Sequence, residues 1–356
     1  MLFLPEMDLK NKKILIIKLR YIGDTLSVIP VVENLKRSVP GVSIDVMVHK
    51  GTEDVVRFHP AISRLWIYDR KRATKNIVSS ILYHSKLIKN IRSESYYAVI
   101  DFTLGDRAAF ISFMTGAELR ITYSDSSRLS HILMNHIILS DPLKRHIVDR
   151  QLESLKAMGI KDMKREMSIH IPESVEKDID GIFDEAKLKN GFMHIAIHPG
   201  ARGRLRRWKS GRFADIALRL KEAFSANIIL IGGPDEAEIV DSVEKEMGVT
   251  ADLRSTSLSL LHMAALFRRC SLFLGNDSAP GHIAAAVGCP TLSIFGPTFP
   301  HIWRPVHPNG EIIFKNFPCC GCRQRECIKP ERNCMDSIEV DEVWEKAEFM
   351  VRNALR

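Results

Sequence analysis

Long apolar runs are missing from this 356-residue chain. No stretch approaches the roughly 20 residues that a helix needs to cross a bilayer. Residues Met1 to Asp8 lack the basic start and long apolar core of a secretory signal, so the expected compartment is the cytoplasm. Aromatic residues are scarce, at 7%, and no nucleic-acid recognition signature is present, which argues against a partner read by base stacking. Neither half carries a G-x-G-x-x-G loop, which argues against a nicotinamide oxidoreductase. No low-complexity segment interrupts the chain.

What is present is ordinary for a globular protein, with 45% hydrophobic and 26% charged residues. The length allows two domains with separate cores. The net charge of +8 is unevenly placed. Residues 1–172 hold 27 Lys and Arg against 18 Asp and Glu; residues 173–356 hold 24 against 25. A basic first half suits an anionic partner such as acidic lipid headgroups or a phosphorylated glycan. Surface Lys and Arg kept for solubility are the plainer explanation. Five of the seven cysteines fall within Cys319–Cys334. In a cytosolic chain such crowding points to metal ligation or redox chemistry more than to structural disulfides.

Two similar patterns run along the chain. Lys13–Lys18 is a short apolar run leading into Tyr21-Ile22-Gly23-Asp24, with a helical pattern following through Leu26, Ile29, Val32 and Leu35. Val42–Val48 and Tyr97–Asp101 read as further strands. The second half restarts at His194–Gly200 and continues with a helix from about Phe213 to Phe224. Asn227–Gly233 reads as a strand before an acidic helix start at Asp235-Glu236. Leu272–Leu274 and Thr291–Gly296 supply two more strands. Apolar runs alternating with helices imply doubly wound parallel sheets, so the expected fold is α/β with two Rossmann-like domains facing a cleft. The expected division is 1–172, a linker over 173–190, a second domain over 191–339, and a terminal helix from Val340 packing back on the first domain.

The most informative stretch is Leu274–Ala286. An apolar strand ends in Asn276-Asp277-Ser278, and an Ala-rich helix starts near Gly281. A buried strand, a small polar loop and a helix N-terminus form an anion site, because unpaired backbone N–H groups point outward there. A nucleotide or nucleotide-linked ligand is expected at this place.

Four ordered motifs together resemble the ADP-heptose lipopolysaccharide heptosyltransferases of glycosyltransferase family nine. They are Lys18-Leu19-Arg20-Tyr21-Ile22-Gly23-Asp24, Ile197-His198-Pro199-Gly200-Ala201, Arg206-Arg207-Trp208, and Gly275–Ala279 with His282. The cysteines after Pro318 look most like the branch that adds the third heptose. The resemblance implies a GT-B fold, ADP-heptose on the second domain and the anionic lipopolysaccharide core on the first. It implies an inverting glycosyltransferase, peripheral on the inner face of the cytoplasmic membrane, needing no cofactor for catalysis.

By that resemblance Asp24 is the general base that takes the acceptor's hydroxyl proton, and Gly23 lets the backbone approach the sugars. The plainer alternative is that Asp24 caps the next helix. Asp277, Ser278, Ala279 and His282 would meet the donor, with Ser278 and Ala279 standing where relatives often carry threonine and glycine. Arg206 aligns with a lysine that neutralises the leaving diphosphate; a solvated basic loop is the rival explanation, and Arg207 belongs to the same cluster. Lys209 follows Trp208 where the family usually has proline. Pro199, Gly200 and Ala201 would bring backbone N–H groups to the phosphates. Asp235 or Glu236 would contact ribose or heptose, or simply cap a helix. Arg70 and Arg72, in a basic run, would face the acceptor or the membrane. Cys319, Cys322, Cys327 and Cys334 offer four thiolates for a structural zinc or iron. Two rivals remain: the same fold with another nucleotide sugar or a protein acceptor, and a non-catalytic sugar-nucleotide-binding module.

Overall fold

A computed structural model describes residues 8–188, 192–322, 326–329, 331 and 333–354. The chain divides into two units, the first ending at His170 and the second beginning at Ile171. Each is built around one six-stranded, fully parallel sheet. In the first, β1 (Lys13–Lys18), β2 (Ser43–His49), β3 (Arg64–Tyr68), β4 (Ala98–Asp101), β5 (Leu119–Tyr123) and β6 (His136–Ile138) lie in the order 3-2-1-4-5-6. In the second, β7 (His194–His198), β8 (Asn227–Ile231), β9 (Leu253–Ser255), β10 (Leu272–Asn276), β11 (Thr291–Phe295) and β12 (Glu311–Phe314) lie in the order 12-11-10-7-8-9. Counted from its own first strand, the second sheet repeats the order of the first. This is the doubly wound order in which a ligand crevice opens where the winding reverses, at the carboxyl ends of the two central strands. In the first unit that point lies between β1 and β4; in the second, between β7 and β10.

The central strands are apolar throughout because helices cover both faces of a parallel sheet. Ile14 to Ile17 and Leu272 to Leu274 are fully buried. The helical pattern after β1 resolves into two helices, Ile22–Leu26 and Ile29–Ser38. Pro30 explains the break, since it has no N–H and its ring opposes the carbonyl four residues back at Leu26. The second helix then accepts Pro30 in its first turn.

Residues 173–190, expected as a linker, instead contain the helix Glu173–Glu185, which packs on the helix Leu260–Arg268. Its amphipathic spacing buries Ile179 while Glu176 and Asp180 pair with Arg269. The terminal helix Val340–Ala354 was expected to pack back on the first domain. It places its apolar face, Val343, Ala347, Met350 and Val351, in the core of the second unit beside Phe213 and Leu220. The helix expected from about Phe213 starts at Ser210, and the acidic start at Asp235-Glu236 is a 3-10 turn, Pro234–Glu236, before the helix Ala237–Met247.

Candidate functional site

Most of the residues singled out from sequence lie at the two points where the sheets reverse their winding, while Arg70, Arg72 and Asp235 do not. In the second unit, β7 ends at His198 and opens into Pro199-Gly200-Ala201, while β10 ends at Asn276 and opens into Asp277-Ser278. Asn276 joins the two loops. Its fully buried amide donates to the Pro199 carbonyl at 2.8 Å, and its oxygen accepts from the Trp208 N–H at 3.0 Å. The Trp208 indole donates to the Ile338 carbonyl at 2.9 Å, anchoring the Arg-rich loop into the core. Arg207 Nε donates to the Ala201 carbonyl at 2.7 Å. This bond ties the Arg207 side chain to the Pro199–Ala201 loop.

Arg206 closes a 3-10 turn, Arg204–Arg206, and its guanidinium reaches the Asp277 carboxylate at 3.3 Å. Asp277 is 8% exposed and also accepts from Thr298 Oγ1 at 2.5 Å. Thr298 lies just past the end of β11, so three strand ends contribute to this cluster. Arg206 is 42% exposed in its side chain, leaving most of its donors for a ligand. Ser278 occupies the N-cap of the helix Ala279–Ala286 and makes no side-chain cap bond. Its hydroxyl instead meets His198 Nδ1 at 3.4 Å, and the first-turn N–H groups gain no partner from it. Ala279 opens this helix and His282 lies within it.

His198, 2% exposed, donates through Nε2 to Glu236 at 3.0 Å. Glu236 also accepts from the Gly233 N–H at 2.9 Å, capping the 3-10 turn. Burial pushes its carboxyl up, but the His198 hydrogen bond and charge, then Gly233 and Arg207, outweigh that and hold it at about 2. Asp235 beside it is exposed and is not brought into the cluster. Gly200 has no room for a side chain, since a Cβ there would overlap the Glu236 carboxylate. This close approach is why glycine stands in that loop.

In the first unit, Asp24 lies in the first turn of the helix Ile22–Leu26, and Tyr21 rather than Asp24 holds the N-cap position. Tyr21 adopts φ 50° and ψ 149°, a sparsely populated backbone region that costs a non-glycine residue about 1–3 kcal/mol. The Asp24 carboxylate pairs with Lys18 at 3.1 Å. Lys18, 6% exposed, also donates to the Phe102 carbonyl at 3.0 Å, tying the end of β1 to the loop after β4. Beneath it lies Asp101, completely buried. Asp101 Oδ1 accepts from the N–H groups of Thr103 at 2.7 Å and Leu104 at 3.3 Å, while Oδ2 has no protein partner. Burial pushes its carboxyl up to about 7, against the opposing pull of those N–H groups and of Lys18. Gly23 contributes its carbonyl to the Ser27 N–H at 3.1 Å. Arg70 and Arg72 are exposed on a short helix, Arg70–Ala73.

Lys18, Asp101, His198, Asn276 and Thr298 were given no role from sequence. Lys18, His198 and Asn276 lie within the quoted motifs, and all five stand at or just past the carboxyl end of an apolar run, which is the only signal for Asp101 and Thr298. The cysteines Cys319, Cys322, Cys327 and Cys334 line one small apolar cavity with Cys320 and Phe317. Burial raises the Cys334 thiol to about 11. Among the described residues, no three His, Cys, Asp or Glu side chains converge closely enough to hold a metal ion. No helix among the described residues is long and apolar enough to cross a membrane.

Two parallel sheets with this strand order, each presenting polar side chains at its reversal point, define a two-unit glycosyltransferase fold of the GT-B type. The chain belongs to glycosyltransferase family 9 (heptosyltransferase), whose pattern matches residues 84–332. It is 28% identical over 293 residues to lipopolysaccharide heptosyltransferase 3 of Escherichia coli, covering 81% of this chain and 84% of that protein. The crystal structure of the family 9 glycosyl transferase from Veillonella parvula superposes with a TM-score of 0.89 at 21% identity, covering 98% of this chain and 100% of that one. The structure of E. coli ADP-heptose lps heptosyltransferase II superposes at 0.77 and 17% identity, covering 97% and 100%.

Proposed function

We propose that this glycosyltransferase moves a heptose from ADP-heptose to the inner core of lipopolysaccharide with inversion at the anomeric carbon, and that Asp24 is its general base. The observation that carries the reading is the Lys18–Asp24 pair at the end of β1. One carboxylate oxygen is engaged by the ammonium, and the other is left to accept a proton from the acceptor hydroxyl. The named relatives, a lipopolysaccharide and an ADP-heptose heptosyltransferase, support the choice of substrates.

In this account the second unit takes the donor. The N–H groups opening the helix Ala279–Ala286 and the Ser278 hydroxyl face the diphosphate, together with the Pro199–Ala201 loop, and His282 lies in the same first turns. Asp277 and Glu236 accept from sugar hydroxyls. As the acceptor oxygen bonds to the anomeric carbon, the bond to the β-phosphate oxygen breaks and charge collects on ADP. Arg206 meets that charge, exchanging Asp277 for phosphate. The first unit takes the acceptor, with Gly23 giving close approach and Arg70 and Arg72 meeting its carboxylates and phosphates. Work at the inner face of the cytoplasmic membrane follows from a lipid-linked acceptor. No step is routed through a metal.

The test is transfer by the purified chain from ADP-heptose to deacylated inner-core acceptor, with competition by ADP, UDP and GDP. Heptosylated product and preferential inhibition by ADP support the reading. Donor binding without product, or preferential inhibition by another nucleoside diphosphate, sinks it.

A further inference from the structure

The helix Ile77–Arg92 in the first unit carries two unlike faces. Asn76 caps it, accepting from the Ser79 N–H at 2.8 Å. Its inner face, with Tyr83, Leu87 and the buried Ile91, packs into the core with Tyr68, Ala108 and Ile111. Its first two outward turns present Ile77, Val78, Ile81 and Leu82, which are 79, 68, 59 and 65% exposed. Scattered single aliphatics are normal on a surface, but four large ones on adjacent turns mark an interaction site.

The surroundings identify the partner. Residues 70–93 contain seven Lys and Arg and no Asp or Glu, and the acids at its two edges are each paired with a cation, Asp69 with Lys50 and Glu94 with Lys13 and Arg64. The exposed Lys86 and Lys89 continue the outward face beyond Leu82, and the exposed Lys71 and Lys75 precede Ile77. An apolar ridge ringed by cations, with no acid among them, is the pattern of a helix lying in the plane of an anionic bilayer. Long lysine stems let the ammonium groups reach headgroups while the aliphatics enter the acyl boundary. A protein groove would ask for no such uniform sign of charge around the ridge.

We propose that Ile77, Val78, Ile81 and Leu82 insert into the interface of an anionic lipid membrane, with the surrounding lysines on its headgroups. The inference builds on the reading of a lipid-linked acceptor and names the surface that brings the enzyme to it. Cosedimentation of the full chain with phosphatidylglycerol-containing vesicles, against phosphatidylcholine alone, tests it. Binding to the anionic vesicles is expected, falling at least roughly tenfold in Ile81→Asp/Leu82→Asp as apolar contact is lost. Lys86→Gln/Lys89→Gln should weaken binding by roughly fivefold per lysine at low salt, a difference that shrinks in high salt. Tryptophan fluorescence of Leu82→Trp should shift to the blue when anionic vesicles are added. Transfer to the water-soluble deacylated acceptor should be unchanged in all three variants. Equal vesicle binding by the wild type and Ile81→Asp/Leu82→Asp, or none by either, overturns the proposal. So does self-association of the wild type that Ile81→Asp/Leu82→Asp abolishes without any vesicle binding, which would assign the ridge to a second copy. A wild type that binds vesicles but transfers no heptose to the soluble acceptor refutes the proposed reaction and leaves the membrane surface standing.

Discussion

Replacing Asp101 by asparagine should change how the stability of the first unit responds to pH. The carboxyl is fully buried at the end of β4 and its pKa is raised from 3.8 to about 7. Below about pH 3.8 both the folded and the unfolded chain hold the proton. As pH rises further, the unfolded chain releases it first, so the native state is disfavoured by about 1.4 kcal/mol per pH unit. The penalty reaches about 4 kcal/mol by pH 7 and stays constant above it. An asparagine side chain in its place would not ionise. The amide oxygen can still accept from Thr103 and Leu104, but the amide nitrogen would occupy the place of Oδ2, which has no protein partner. The protonated carboxyl of the wild type likewise leaves an O–H at Oδ2 without a protein partner, so the two side chains are closely matched near pH 4. Asp101→Asn should therefore be about as stable as wild type near pH 4 and more stable near pH 8. Native-state hydrogen exchange of β1 and β4 amides, corrected for intrinsic rates, reads the difference. Parallel pH dependence in the two proteins would refute the assignment of a buried, proton-holding Asp101.

Asp24→Asn should lower kcat by about 10²–10⁴-fold with ADP affinity unchanged by calorimetry, since it removes the base and leaves the second unit untouched; turnover within roughly tenfold of wild type would dismiss that role. Arg206→Gln should lower kcat by about 10²–10³-fold through loss of charge stabilisation on the departing diphosphate. Arg206→Lys should restore part of it, and a steady-state assay giving equal rates for Arg206→Gln and wild type would count against Arg206. Gly200→Ala should weaken ADP binding by roughly tenfold or more, because its Cβ displaces the Glu236 carboxylate and with it the His198 contact; an unchanged dissociation constant would show that this loop lies outside the donor site.

The central strands of both sheets were readable because burial on two faces makes them continuous apolar runs, as in Lys13–Lys18 and Asn227–Ile231. The edge strands β3, β6, β9 and β12 were not. Arg64–Tyr68, Leu253–Ser255 and Glu311–Phe314 are partly exposed, short or polar, and lack that signature. β5, Leu119–Tyr123, was hidden by Arg120 at its second position. The reversal-point loops were legible because small and polar residues follow apolar runs there. Their internal wiring was not. Arg206 meets Asp277 across 71 residues, and Lys18 meets the Phe102 carbonyl across 84. Such pairings are made by strand order, which local spacing does not encode. The segment after Pro172 misled for the opposite reason, since an acidic, polar stretch reads as a linker until its partner Arg269 is known.

The most direct measurement is the configuration of the new glycosidic bond, read by NMR from anomeric coupling in product made from ADP-heptose of known configuration. A single displacement assisted by the Asp24 carboxylate gives the anomer opposite to that of the donor. Product that keeps the donor's configuration would contradict it.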